Sequence, residues 1–322
     1  MAYAPAGNLT TSASIRHLAT VYYKRKGLDR LLQMFRFHGV TEPDVLPLRN
    51  GKTVQWFRYS LFGENTTPSA EGVVGTSLTL DSNTISATVE EYSDFITLAS
   101  LLEETSIDPI RQQAAEDLGY RAGLSVDSIV RTEFDSNTAA RIATLGAAAT
   151  AGDFRRAVAI LRTANVLPRM GDDFAGILHP YVLYDLQSDN TAGGFIDQTK
   201  YLSPAGFASS PLVGEAGKVG GVRLMTSTNV RTSGTAPNVL YDCYIIGKGA
   251  VGSVDLAGRG PSRVENPASQ SFAINMGDGG PSLADPEGKI GGFASYRYVF
   301  SVQTLDTTNL RYRVIQADAS LV

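Results

Sequence analysis

The chain has 322 residues, 43% of them hydrophobic and 19% charged, and its 28 basic against 32 acidic residues leave a net charge of −4. That length supports two or three packed units with a substantial core. A single cysteine, Cys243, excludes an internal disulfide framework and a cysteine-rich metal site, and no apolar run approaches the ~18 residues that would span a bilayer.

The charge is unevenly placed. Residues 1–50 hold seven basic residues against three acidic ones, net +4, and residues 52–94 hold two against six, net −4. Segments of opposite sign can pair within a chain or between chains, or simply form two solvated surfaces, since exposed ion pairs contribute little. The N-terminal MAYAPAGNLTTSAS lacks the charged and apolar regions of a signal peptide, so a cytoplasmic location is expected.

Residues 1–14 are small and polar and predict a flexible arm. From Ser14 to Phe37 the apolar spacing is helical, through Ile15, Leu18, Val21, Leu28, Leu31, Leu32 and Phe35, with Gly27 as an interruption. Residues 38–50, with Pro43 and Pro47, predict a connector. KTVQWFRYSLF predicts a strand. Residues 63–77 form turns, and the alternating run of residues 78–98 predicts a second long strand. Such a hairpin cannot fold on itself and must lie against something else.

Leu98 to Thr105 leads into the dominant element, Asp108 to Asp135. Asp108 suits the cap and Pro109 the first helical position. Ile110, Ala114, Leu118, Ala122, Val126, Ile129 or Val130, and Phe134 recur at helical spacing, with Arg111, Glu116, Arg121, Asp127 and Arg131 opposite. This helix would be roughly 40 Å long. Gly119 and Gly123 each weaken it by about 1 kcal/mol, so packing must hold it.

Residues 136–152 fit no single pattern. Asp153 is expected to cap a helix with Phe154, Ala157, Val158 and Leu161, stopped by Pro168. FAGILH predicts a buried strand, PYVLYDLQS a short helix, and 189–220 a loop. GGVRLMTST and NVLYDCYIIG predict strands, 257–292 is Gly/Pro-rich, and YRYVFSVQT and LRYRVIQAD close the chain around a turn at Asp306–Asn309. No period of about 20–50 residues repeats, so the chain is not a solenoid.

Gly247-Lys248-Gly249-Ala250-Val251-Gly252 matches the G-x-G-x-x-G of dinucleotide folds. The next residues, SVDLAGRGPSRVENP, predict no helix, so turn glycines are expected, and a nucleotide-binding enzyme stays a remote alternative. Gly51-Lys52-Thr53 lacks the earlier glycine and the subsequent helix of a phosphate loop. His17, His38 and His179 have no metal spacing, and Asp172 and Asp173 join His179 only if their loop folds back. No G-x-S-x-G elbow exists. Cys243, inside an apolar strand, predicts an inert thiol. Glu90–Glu91 and Glu103–Glu104 predict solvated faces. The basic and aromatic residues of 22–37 could suggest nucleic acid, but a net −4 argues against specific binding. No catalytic, cofactor or metal residue is assigned, and an enzyme is not expected.

Several stretches, in this order and spacing, resemble a podovirus-type family of tailed-phage major capsid proteins with the HK97-type fold. They are Gly51-Lys52-Thr53, Thr67-Pro68 with Glu71-Gly72, TVEEYSDFITLASLLEETSIDP, His179-Pro180 with Asp185-Leu186, Gly214-Glu215 with Gly220 and Gly221-Val222-Arg223, and Gly247 to Gly252. The similarity spans about residues 45–255.

The resemblance implies an α+β fold. Its parts would be an N-arm over 1–50, an extended E-loop hairpin over 51–97, and a peripheral domain over 98–152 with a spine helix at 109–135. An axial domain over 153–291 and terminal strands over 292–322, returning to the peripheral domain, would complete it. It implies a structural protein, assembling as pentamers and hexamers into an icosahedral shell around phage double-stranded DNA. The E-loop and N-arm would lie on neighbouring copies, which would supply the hairpin's missing partner. Expected partners are further copies, a portal protein, a separate scaffolding protein, a decoration protein, and DNA bound without sequence specificity. No membrane partner is expected, and the chain would reside in the virion after assembly in the host cytoplasm. Arg25, Lys26, Arg58, Glu64, Glu71, Glu90 and Glu91 are the expected inter-subunit contacts. Relatives that cross-link use a hairpin lysine, and the only one here, Lys52, lies at the base, so a non-covalent shell is expected. No long charged helical segment precedes the fold, which points to a separate scaffold or none. An encapsulin-like nanocompartment shell is the alternative.

Overall fold

Two sheets, a two-stranded hairpin and one long helix carry the architecture. The structure is a computed structural model, and it describes residues 35–59, 62–69, 71–72, 74–75, 77–106, 109–189, 215–235, 239–257, 273–278, 289–307 and 309–319. The arm expected over 1–14, and the helical pattern up to residue 34, lie outside the described residues.

The residues expected to form a connector instead contain a short 3-10 turn, His38–Val40, and strand β1, Glu42–Leu46. Pro43 is tolerated because β1 pairs on one side only, in parallel with β11 (Val251–Leu256). The hairpin consists of β2 (Thr53–Tyr59) and β3 (Ser82–Thr88), with Trp56 opposite Ile85. The expected single second strand is broken at Val89, whose N–H donates to the Lys52 carbonyl at 2.9 Å. Beyond it, β4 (Glu90–Ala99) joins another sheet and α1 (Ser100–Thr105) comes next.

The long helix α2 runs from Ile110 to Ser136, about 40 Å. Pro109 is its cap rather than its first turn, because the N–H groups of Gln112 and Gln113 both donate to the Pro109 carbonyl. Asp108 lies outside the described residues. Ala114, Leu118, Ala122, Val126, Val130 and Phe134 are buried, as their spacing predicts, and Gly119 and Gly123 are buried beside them.

Residues 136–152, ambiguous in sequence, form a 3-10 turn and β5 (Arg141–Ala148). Helix α3 (Ala151–Thr163) is capped by Thr150, not Asp153. Asp153 stands three residues in and accepts from the Thr150 N–H at 3.0 Å, closing a capping box. Fully buried β6 (Phe174–Leu178) leads to α4 (Pro180–Ser188). The expected loop contains β7 (Glu215–Val219), ahead of β8 (Val222–Thr226), β9 (Thr232–Ser233) and β10 (Leu240–Ile246). The Gly/Pro-rich region contains β12 (Ala273–Asp278), before β13 (Ile290–Thr304) and β14 (Tyr312–Asp318).

In the first sheet β13 is central, with β4 along one side and β12 and β11 along the other. The second runs β5-β14-β10-β6-β8-β7, with β9 beside β10. The closing strands are therefore not a hairpin. They diverge after Asp306, β13 into the sheet against α2 and β14 into the sheet beside α3.

One core joins both sheets to α2. Phe134 from α2 meets Tyr312 edge-on at 5.0 Å between centroids, and Phe37 meets Tyr244 at 5.1 Å. Four segments distant in sequence are thus tied at one aromatic cluster. Beside it, His38 is buried between Phe35 (4.8 Å) and Phe300 (5.6 Å), and its Nε2 makes no hydrogen bond. Burial lowers its pKa from 6.5 to about 4. A depressed histidine stabilises the fold above pH 6.5 and loses that contribution as pH falls towards 4, about 3 kcal/mol in all. Urea midpoints measured at pH 7 and near pH 4 are expected to diverge in the wild type and to converge partly in His38→Phe. An equal pH dependence in both would remove His38 as the cause.

Candidate assembly surface

The hairpin has two unlike faces. On the inner one, Val54 pairs with Ala87 and Trp56 with Ile85. Val54, Trp56 and Ala87 pack with Leu46, Val89, Val254 and Val299 in a second, small core at the hairpin base. Farther along β2, Arg58 forms an ion pair with buried Asp306. The hairpin's need for a partner is therefore met partly by its own chain.

The outer face and the far end are not covered. Phe57 is 66% exposed and Tyr59 60%, both on the outer side of β2. Beyond the strands, Phe62, Leu78 and Leu80 are exposed, and Val74 is 95% exposed. Among the described residues, this run of large apolar side chains held off the core is the clearest unpartnered surface. A second apolar region lies where β4 meets the start of α2. Phe95, Leu101 and Leu102 are exposed there, and a groove of about 540 Å³ has Ile96, Pro109, Ile110 and Ala114 among its walls.

The charged residues expected at this surface fall into three groups. Arg25 and Lys26 lie outside the described residues. Glu64 and Glu71 stand exposed on the connection between the hairpin strands, and exposed Glu90 accepts only the Tyr92 hydroxyl at 3.4 Å. Arg58 and Glu91 have partners within the chain, Asp306 for the first and Arg297 (2.6 Å) for the second. Glu103, expected on a solvated face, holds the Arg111 guanidinium through two 2.7 Å hydrogen bonds. The exposed aromatic residues Phe57 and Tyr59 were missed as a surface. Their alternation with Trp56 and Arg58 was the available signal.

Asp127 corrects the helical pattern, which placed it on the polar face. It is 1% exposed, and its Oδ1 accepts the backbone N–H groups of Arg36, Phe37 and His38 at 2.9, 2.7 and 3.3 Å. Its Oδ2 accepts from Asn229 Nδ2 at 3.3 Å. Burial pushes this carboxyl up, against those hydrogen bonds, which pull it down. The segment that leads to residues 1–34 is pinned here to the middle of α2.

The candidate chemical motifs resolve into structure. The end of Gly247–Gly252 already lies in β11, not ahead of a helix, and the Gly249 N–H donates to Glu42 at 3.1 Å. A carboxylate of the chain itself thus takes an anion position on that turn. Asp173 pairs with Lys218 at 2.8 Å, while His179 Nδ1 accepts the Tyr181 N–H at 3.2 Å. No cluster of potential metal ligands occurs among the described residues. Cys243 is fully buried, and burial with neighbouring Asp242 pushes its thiol up, which keeps it protonated and inert.

No protein-family profile and no curated protein sequence matches the chain. Its structure is similar to many solved ones. Against the capsid of Ralstonia phage GP4 the TM-score is 0.66 at 11% identity, covering 87% of each chain. Against the head of Helicobacter pylori bacteriophage KHP40 it is 0.62 at 10% identity, covering 88% of this chain and 91% of that one. Against the capsid of Cyanophage P-SCSP1u it is 0.60 at 14% identity, covering 88% of each. At these identities the likeness establishes a shared α+β fold over nearly nine-tenths of the chain.

Proposed function

We propose, from the HK97-type capsid fold it carries, that the chain is a structural major capsid protein of a tailed phage, assembling as pentamers and hexamers into an icosahedral shell around double-stranded DNA. The observation that carries this reading is the hairpin. On a fold shared with phage capsids, its far end exposes Phe62, Val74, Leu78 and Leu80, with none of the described residues covering them. A neighbouring copy would receive that end, and the groove between Ile96 and the start of α2, whose apolar walls are rimmed by Gln112, Gln113 and Asp117, is a surface of the kind it needs. Contacts would be non-covalent, since Lys52 is at the hairpin root. Portal, scaffolding and decoration proteins would be the other partners.

Electron microscopy of the overexpressed chain, with its mass in solution, tests the reading. Shells, or rings of five and six, are expected, and in an infected cell they would copurify with DNA and portal. Copurification with an enzyme cargo would favour a nanocompartment instead. A chain that stays monomeric even with its scaffold would remove both.

Residues 1–50 carry a net +4 and 52–94 a net −4. If the arm meets the acidic segment of a neighbour, Arg25→Glu with Lys26→Glu impairs assembly, most strongly at low salt. Assembly unchanged across a range of salt would remove that contact.

A further inference from the structure

The Gly247–Gly252 turn has no part in the assembly surface, yet each of its glycines makes room for a different element. A Cβ on Gly247 would lie 2.4 Å from Val166 Cγ1. On Gly249, at φ +68, it would lie 2.7 Å from the Arg311 guanidinium, and on Gly252 it would lie 3.0 Å from the Trp56 ring. The turn is therefore a seat. Trp56 of the hairpin shares the bare backbone at one end with the Leu305 side chain, 2.9 Å from the same Cβ position, and Arg311 lies across bare backbone in the middle, where the Lys248 carbonyl also holds it at 3.5 Å.

Both neighbours lead to one carboxylate. Asp306, 2% exposed, lies between β13 and β14, and its Oδ1 accepts the Asn309 N–H at 2.8 Å. Its Oδ2 faces Arg311 Nε at 3.6 Å and, from the hairpin side, pairs with Arg58. Two cations thus share one buried acid, one fixed to the body and one carried by the hairpin.

We propose that this arrangement is a releasable latch, in which the outer half of the hairpin swings away by withdrawing Arg58 from Asp306 while Arg311 remains to neutralise the acid. A buried carboxylate that loses its only cation opposes such a movement strongly. Here a second cation is already in place, and its repulsion of Arg58 weakens the closed pair. Trp56 stays seated, against Gly252 and in the small core with Leu46, Val254 and Val299, so the movement lies beyond it. The root stays attached through the small core of Val54, Trp56, Ala87 and Val89 and through the Val89–Lys52 hydrogen bond. The pivot is therefore beyond Trp56 and its partner Ile85, and the swinging part is the half that bears Arg58 and the exposed apolar end. The purpose of the latch rests on the assembly reading: one chain would set its hairpin at different angles in different shell positions.

Hydrogen exchange of the full, unassembled chain tests the latch through the amides of β2 and β3 on the outer side of Trp56 and Ile85. Arg58→Met is expected to speed their exchange about tenfold at low salt, with Leu240–Ile246 unchanged. Arg311→Met is expected to slow it several-fold below the wild type, because opening would then take Arg58 from an acid that has already lost Arg311. Exchange in Arg311→Met as fast as or faster than in the wild type would overturn the proposal. Should that variant not fold, the wild type decides. Between about 50 and about 500 mM salt the hairpin amides should speed up while Leu240–Ile246 do not, and a parallel response or none overturns the latch. Normal shells with the wrong exchange pattern remove the latch alone. The predicted pattern in a chain that never forms shells removes the assembly reading alone.

Discussion

Deletion of residues 64–76, with Gly63 joined to Ser77, is expected to give a soluble, folded subunit that forms no shells. The described residues that are removed belong to neither core: Glu64, Glu71 and Val74 are exposed, and the inner-face anchors Val54, Trp56 and Arg58 all remain. The unfolding midpoint should therefore stay near that of the wild type. Assembly should not. Burying one large apolar side chain contributes about 1.5–3 kcal/mol. A shortened hairpin would lose Val74 outright and could no longer carry Leu78 and Leu80 to the same place. A loss of about 4 kcal/mol at each inter-subunit contact weakens it roughly a thousandfold, and the deficit recurs at every copy in a closed shell. Sedimentation and electron microscopy beside a thermal melt would separate the two effects. Normal shells from the deleted chain would refute the hairpin's role.

That result would turn on a feature only half legible in the sequence. Strand propensity and alternation placed β2, and the mismatch between a long hairpin and its few apolar residues implied a partner. Where each face would go was not encoded locally. Trp56 meets Gly252 and Arg58 meets Asp306, on segments that come near the end of the chain. The same limit explains the closing strands. β13 and β14 are separated by a short turn, which suggests a pair, yet their partners are β4, β11 and β12 for one and β10 and β5 for the other. β12 was invisible for a related reason. Glycine weakens a strand through the loss of side-chain contacts, but opposite Gly277 the Phe293 ring lies over the bare backbone, 2.3 Å from where a Cβ would be.

Local periodicity did succeed along α2. Ala114, Leu118, Ala122, Val126, Val130 and Phe134 are buried because helical spacing puts them on one stripe, whatever lies opposite. The same reasoning failed at Asp127. A pattern that sorts residues by polarity cannot tell a solvated carboxylate from one answering backbone donors of a segment 90 positions earlier. The fold itself was recognisable from the order of short stretches, although at 10–14% identity the solved neighbours share little sequence with the chain.

Asp127→Ala is accordingly expected to be among the most destabilising single substitutions on α2, although the site looks polar and replaceable. It leaves the N–H groups of Arg36, Phe37 and His38 and the Asn229 amide without their acceptor. A buried donor left unsatisfied costs about 1–3 kcal/mol, and partial relaxation of the four groups gives an expected loss of about 3–5 kcal/mol. Asp127→Asn keeps a carbonyl oxygen where Oδ1 stands, so most of the stability should return, at a cost of about 1–2 kcal/mol. The pH behaviour has the same chemical origin. Burial raises this carboxyl's pKa, so its contribution is largest at low pH and declines as pH rises through the folded value. Acid therefore does not open the anchor through Asp127, and acid lability belongs to His38, whose shift has the opposite consequence. Urea unfolding of the two variants, with limited proteolysis just before Phe37, reads both parts. Asp127→Ala should unfold earlier and be cut faster there, with Asp127→Asn close to the wild type. An alanine variant as stable and as resistant as the wild type would mean that the carboxylate does not hold the root of the arm.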